Sequence, residues 1–269
     1  MIVWVLMAMQ IAQTGGIPKL VAALTKDAAA FSRCASGVYT QETLTHRALK
    51  DNGKWKEFRV LSSYSFASPR EKSSAVREIR LIQSVNGHSA KRADSLDLIA
   101  MSVSSGSDQD RRKMIEQLEK QGIKGVATDL GQLLLLFSEG SVGNYEFSFQ
   151  GGRSIDTDPL VAFSFRQIDG PESMTVFRGG EVVKPKLAGE VWLRESDMRL
   201  VRVSLNSMVP ATDKQPNSLQ EMTVDYAWAE TQGCLLPTLA EHREYHDGTM
   251  LVENKYQYKA YQPFHVNKR

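Results

Sequence analysis

Five histidines, two cysteines and a few loop carboxylates are the residues of this chain best suited to chemistry. His242 and His246 stand four apart in EHREYH. On a helix that spacing would bring two imidazoles to one metal ion. The segment alternates like a strand, where four residues span about 13 Å, too far to share an ion. Both are therefore read as exposed polar positions. His46, His88 and His265 have no Cys or carboxylate at ligand spacing. Cys34 and Cys234 fall in neither a metal nor a redox spacing. A pair can bridge in an exported chain, but the sequence shows no proximity, and two separate half-buried thiols are expected. Gly152-Arg153-Ser154-Ile155-Asp156 lacks the glycine that a nucleophile elbow needs after its serine. Gly151-Gly152 and Gly179-Gly180 lack the strand-to-helix context of a phosphate loop and read as tight turns. No catalytic, cofactor-binding or metal-binding residue is assigned, so the chain is read as a non-enzyme without a cofactor. A hydrolase using loop carboxylates such as Asp156 and Asp158 is the remote alternative.

The charge balance excludes another class. A net charge of +2 gives no concentrated basic face for nucleic acid. Lys91-Arg92 and Arg111-Arg112-Lys113 are short, interrupted by acids, and read as solvated surface. An apolar content of 42% with 24% charged residues is that of an ordinary globular chain.

The elements that must position any site are mostly strands. The last third, Gly189 to Tyr261, reads as an antiparallel meander: GEVWLRE and LVRVSL around Ser196-Asp197, then SLQEMTVDYAWAE, LPTLAEHREYHDG and TMLVENKYQYKAY through Asp247-Gly248. Met222, Val224, Tyr226 and Trp228 share one parity against Glu221, Thr223 and Asp225, the period-two signature of a half-buried sheet. Val191, Leu193, Val201, Val203 and Leu205 are expected to face inward and Arg202 outward. Upstream, strands are expected at 38–47, 55–67 and 75–85, the last ending at the turn Asn86-Gly87. Further strands are expected around Tyr145–Gln150 and Leu160–Ile168, with short ones near 174–177 and 182–187.

Three helices are expected. The first opens at Ile17-Pro18 with the stripe Ile17, Leu20, Val21, Leu24, Ala28 and Phe31 and ends by Gly37. The second starts at Ser107-Asp108-Gln109-Asp110, with Met114, Ile115 and Leu118 on its apolar side and Gly122 as its stop. The third, 129–138, carries Leu133-Leu134-Leu135-Leu136-Phe137 and is read as buried. Ahead of them, MIVWVLMAM is shorter than the roughly 20 apolar residues of a membrane span and has the length of a secretory signal's apolar core. Residues 1–16 are assigned to a signal segment and 17–269 to one domain; a buried first strand is the alternative for the leading run.

About ten strands at ~4.8 Å make a sheet roughly 48 Å wide, whereas three helices of ~10 Å shield about 30 Å of it. The apolar parity of the strands therefore exceeds its cover, which points to a cavity or a partner. A barrel-like core filled by its own side chains is the bland alternative. The residues placed on that parity, and assigned to lipid binding, are Phe58, Val60, Tyr64, Tyr145, Phe147, Phe163, Phe165, Tyr226, Trp228, Tyr256 and Tyr258.

Gly189-Glu190-Val191-Trp192-Leu193 resembles the recurring G-x-hydrophobic-Trp-hydrophobic strand of the LolA/LolB-like lipoprotein-carrier superfamily, and Arg199 to Val203 resembles its partner strand. The resemblance in order of elements covers residues 17 to 261. It implies an α+β fold, a strongly curved, unclosed half-barrel of antiparallel strands with helices on its concave side. It also implies a periplasmic or secreted, non-enzymatic protein that binds a lipid, an acyl chain or an acylated protein in an apolar cavity. No lipoprotein-handover loop and no lipid-attachment Cys are identifiable. The alternative function is an envelope interaction or sensor protein using the same sheet against a protein partner. A monomer is expected.

Overall fold

The computed structural model describes residues 2–67, 76–89, 115–116, 118–119, 122–123, 125–127, 129–155, 158–170, 176–178, 181–211 and 216–264. Side chains are described from residue 16 onward, except in the 176–182 hairpin. The expected helix start at 107–110, the two basic clusters, Asp156, Gly179-Gly180 and His265 lie outside the described residues.

Helix α1 runs Ile2–Cys34, so Ile17-Pro18 lies within the helix instead of opening it. The stripe expected from 3.6-residue spacing is present: Leu20, Leu24, Ala28 and Phe31 are fully buried, with Ile17 and Val21 packed at its margin. A short 3-10 turn, Ala35–Gly37, leads into the first strand. No helix among the described residues is long and apolar enough to cross a membrane.

The strands are β1 (Val38–Leu49), β2 (Trp55–Ala67), β3 (Arg77–Val85), β4 (His88–Ser89), β5 (Tyr145–Ile155), β6 (Asp158–Gln167), β7 (Val176–Arg178), β8 (Glu181–Val183), β9 (Ala188–Arg194), β10 (Leu200–Val209), β11 (Ser218–Ala229), β12 (Cys234–His246), β13 (Thr249–Tyr258) and β14 (Gln262–Pro263). All but β7 and β8 form one antiparallel sheet in the order β4-β3-β2-β1-β13-β12-β11-β10-β9-β6-β5, with β14 pairing β1. Because β5 and β4 end the order without pairing each other, the sheet is unclosed.

Register makes the inner face legible as transverse rows. One row is Phe58–His46–Asn254–His242–Met222–Leu205–Gly189–Phe165–Phe147, crossing nine strands. The next is Val60–Leu44–Tyr256–Ala240–Val224–Val203–Val191–Phe163–Phe149. Val191, Leu193, Val203 and Leu205 are fully buried, as expected. Val201 is only half-buried, because a bulge between Leu200 and Arg202 turns Leu200 inward in its place.

The expectation of about three helices is corrected: α1 is the one long α-helix among the described residues. Ile115, Glu116, Leu118 and Glu119 are helical and end at Gly122, where the Gly122 N–H bonds the Glu119 carbonyl and the Ile123 N–H bonds the Leu118 carbonyl. That is a Schellman stop, and φ of +85° is why a glycine stands there. Leu133–Phe137 is a single 3-10 turn, not an α-helix. The Leu130 carbonyl is taken by Leu133 at three-residue spacing, and the Leu134 N–H goes instead to the Tyr226 hydroxyl. The run is nonetheless buried, as its all-round apolar character requires.

Candidate functional site: the inner face and its cover

The described residues between 115 and 144 lie over the inner face together with α1, and those that are buried join its apolar core. Ile123, Leu130, Leu134 and Phe137 are essentially inaccessible to solvent and join the sheet and α1 in one core. Phe137 packs edge-on against Tyr145 and Phe165, at 5.7 and 5.1 Å between ring centroids. Cys34 and Cys234 form a disulfide that ties the end of α1 to the start of β12, correcting the expectation of two separate thiols. Two hundred residues separate them, and pairing at that range depends on the strand order, which local spacing cannot express.

Among its described residues the cover makes no sheet ladder with the strands beneath it. A buried irregular main chain must still satisfy its N–H and C=O groups. Here the tips of inward-facing side chains do so. The Glu78 carboxylate accepts from the Asp129 and Gly131 N–H groups at 2.7 and 2.5 Å. The Tyr226 hydroxyl accepts from Leu134 N–H and donates to the Gly131 carbonyl. Tyr256 donates to the Ala127 carbonyl at 2.8 Å, and the Asn254 amide to the Gly125 carbonyl at 2.7 Å. A Cβ at residue 131 would strike the Tyr64 hydroxyl and the Glu78 carboxylate, so glycine is required by close approach.

Under that cover lies a charged cluster. Arg80 Nε stands 2.9 Å from both Glu42 oxygens, and its Nη1 stands 2.6 Å from Glu78. The guanidinium also lies 5.1 Å from the ring centroids of Tyr64 and Tyr256. Burial pushes the Glu42 carboxyl up, against the pull of Arg80. Arg80 is buried as well, yet the two carboxylates hold it charged. Removing one partner of such a set leaves an uncompensated buried charge, typically at about 3–5 kcal/mol.

The expectation that His242 is exposed is also corrected: it is 3% exposed, and His46 is fully buried. Between them sits Asn254, with His46 Nδ1 2.7 Å from its Oδ1 and His242 Nδ1 3.0 Å from its Nδ2. Alternation around Ala240 and Met222 carried the signal for His242, but a polar residue on an apolar parity reads as a surface position. His246, as expected, is polar and half-exposed, bonded to the Asn217 carbonyl and Asp247. No group of three His, Cys, Asp or Glu converges as a metal site among the described residues.

Of the residues assigned to lipid binding, Phe58, Val60, Tyr64, Tyr145, Phe147, Phe163, Phe165, Tyr226 and Tyr256 are buried. Tyr258 is half-buried and stacked on Tyr261. Trp228, near the end of β11, is half-buried and packed at the margin of the core, with the Arg199 guanidinium 4.0 Å from its ring centroid. On the opposite face a groove of about 460 Å³ runs over β5, β6, β9 and β10, lined by Glu146, Ser164, Arg166, Glu190, Ser204 and Asn206 among others.

No protein-family model matches this sequence, and no curated protein matches it. Solved structures do. A DUF1329 family protein from Desulfovibrio piger aligns over 93% of this chain and 95% of its own, with 10% identity and a TM-score of 0.41. A domain from Vibrio parahaemolyticus assigned to outer membrane lipoprotein sorting aligns over 93% and 95%, with 8% identity and a TM-score of 0.40. A LolA superfamily protein from Nitrosomonas europaea aligns over 91% and 94%, with 9% identity and a TM-score of 0.34. The group whose strand pattern the sequence resembles is thus among the matches.

Proposed function

We propose that this protein is a non-enzymatic carrier of a lipophilic molecule, an acyl chain or an acylated protein, held between the inner face of its half-barrel and the 115–144 cover. The observation that carries the reading is how the cover is fastened: an apolar irregular chain, bonded to the sheet through side-chain tips on Glu78, Tyr226, Asn254 and Tyr256. A cover joined by ladders would open only by unfolding the sheet. This one can lift as a unit and expose the apolar rows beneath, with Phe147, Phe163 and Phe165 offering rigid apolar area. The Cys34–Cys234 bridge suits an oxidising compartment, which supports placing the domain, residues 17–269, in the envelope behind a 1–16 signal segment.

Native mass spectrometry of protein isolated from its own envelope, alongside titration with a fluorescent fatty acid, tests the reading. Bound lipid and saturable uptake of the probe are expected. A co-purifying protein without lipid, and no uptake of the probe, would replace it with the partner-binding alternative.

A further inference from the structure

The amide of Asn254 is the hinge of a small logical device. The Gly125 carbonyl can only accept, so the Asn254 atom facing it is the Nδ2 donor, which fixes the amide's orientation. Its Oδ1 then faces His46, whose Nδ1 must carry a proton. Its second N–H faces His242, whose Nδ1 must be bare. His242 is therefore neutral, and at His46, whose buried Nε2 meets no hydrogen-bond partner among the described residues, burial favours the neutral ring. A proton on His242 Nδ1 would point at the Asn254 N–H. Rotating the amide to accept it would turn Oδ1 toward the Gly125 carbonyl, oxygen against oxygen.

We infer that His46, Asn254 and His242 form an acid-sensitive latch that holds the cover at Gly125 when both histidines are neutral and releases it when His242 gains a proton. This rests on the carrier reading above and supplies its regulation.

The charged groups of inward parity on the elements around the trio are Glu42 on β1, Lys56 on β2, Glu78 and Arg80 on β3, and Glu244 on β12, while Glu116 and Glu119 on the cover are exposed. Burial lowers the His242 value to about 4, and His46 adds to the shift. Burial likewise lowers His46, with Lys56 adding to the effect while its bond to Asn254 opposes it. A folded value below the ordinary 6.5 means that the closed form holds its full advantage above about pH 6.5 and loses it as pH falls toward 4. Glu42, whose value is raised, acts with the opposite sign, so acid release comes from the histidines. For one site moving from about 4 to an ordinary 6.5 on opening, the open fraction rises on the order of 30-fold between pH 7.5 and 5.0.

Hydrogen exchange of the 125–134 amides, corrected for intrinsic rates and compared with amides of β9–β11, tests this on the intact protein. Protection over 125–134 should fall by that factor at pH 5.0 while the β9–β11 amides hold. His242→Gln should remove most of the pH dependence, and Asn254→Ala should loosen the cover at both pH values. Unchanged protection in the wild type, or an equal loss across β9–β11, overturns the latch whether or not the variants fold. Dansylated undecanoic acid separates the two ideas. Uptake at both pH values with a cover insensitive to acid keeps the carrier and sinks the latch. Acid loosening without uptake keeps the latch and sinks the carrier.

Discussion

The two halves of the inner face are built differently. Across β5, β6, β9, β10 and β11 the two central rows are apolar, Phe147, Phe165, Leu205 and Met222, then Phe163, Val191, Val203 and Val224, and the buried polar side chains Gln167, Ser207, Ser218 and Gln220 are uncharged. Across β12, β13, β1, β2 and β3 the same depth contains His242, Asn254, His46, Glu42, Glu78 and Arg80, with Tyr64 and Tyr256 among them. Apolar rows stabilise by area and do not distinguish one covering segment from another. Buried polar groups add little net stability but penalise every arrangement that leaves them unpaired. The first half meets the cover mainly through apolar packing, with Tyr226 at the border, and the second supplies most of the hydrogen bonds that fix where the cover sits.

That division can be broken from either side. The largest effect is expected from Val203→Asp, which places an unpaired charge at a fully buried position and should cost about 4 kcal/mol or more of global stability by urea denaturation. Glu78→Gln should cost about 2–4 kcal/mol, because Arg80 loses a charge partner and one of the two cover amides meets an NH2 group in place of its acceptor. Exchange at Asp129 and Gly131 should rise first; a loss spread evenly over β9–β11 would show the two halves to be one unit. Tyr226→Phe, at the border, removes one bond each to Leu134 and Gly131 and should cost about 1–3 kcal/mol, again appearing first as local exchange. The smallest effect belongs to the outer face. Arg202→Ala breaks a pair with Asp225 that is partly open to solvent and should change stability by about 1 kcal/mol or less. A drop in melting temperature matching that of Glu78→Gln would erase the contrast between the faces.

Much of the first half was legible in the sequence, and much of the second was not. Val191, Leu193, Val203 and Leu205 follow strict alternation, and side chains packed by area obey it. The pattern slipped by one residue at Val201 because a bulge leaves no compositional trace there. In the other half, Glu42 and His46 occupy inward positions of β1 that a binary pattern assigns to apolar residues. Their partners, Arg80, Asn254 and His242, come from other strands, so nothing local marks them as satisfied. Likewise, Leu133–Phe137 reads as a helix because the acceptor that shapes its turn, Tyr226, lies 92 residues away.

Strand β1 lies between β2, its neighbour in the chain, and β13; the His46–Asn254 bond across that second seam joins residues 208 apart. The sheet is therefore two ribbons sewn by one late stitch. Contacts of such sequence separation make folding slow, because the chain between them must be gathered before the stitch rewards it. Until β13 arrives, β1 offers an open edge 12 residues long, the kind through which half-made chains join one another. Order of synthesis thus becomes a hazard of assembly, and the C-terminal strands act as guardian of the N-terminal ones.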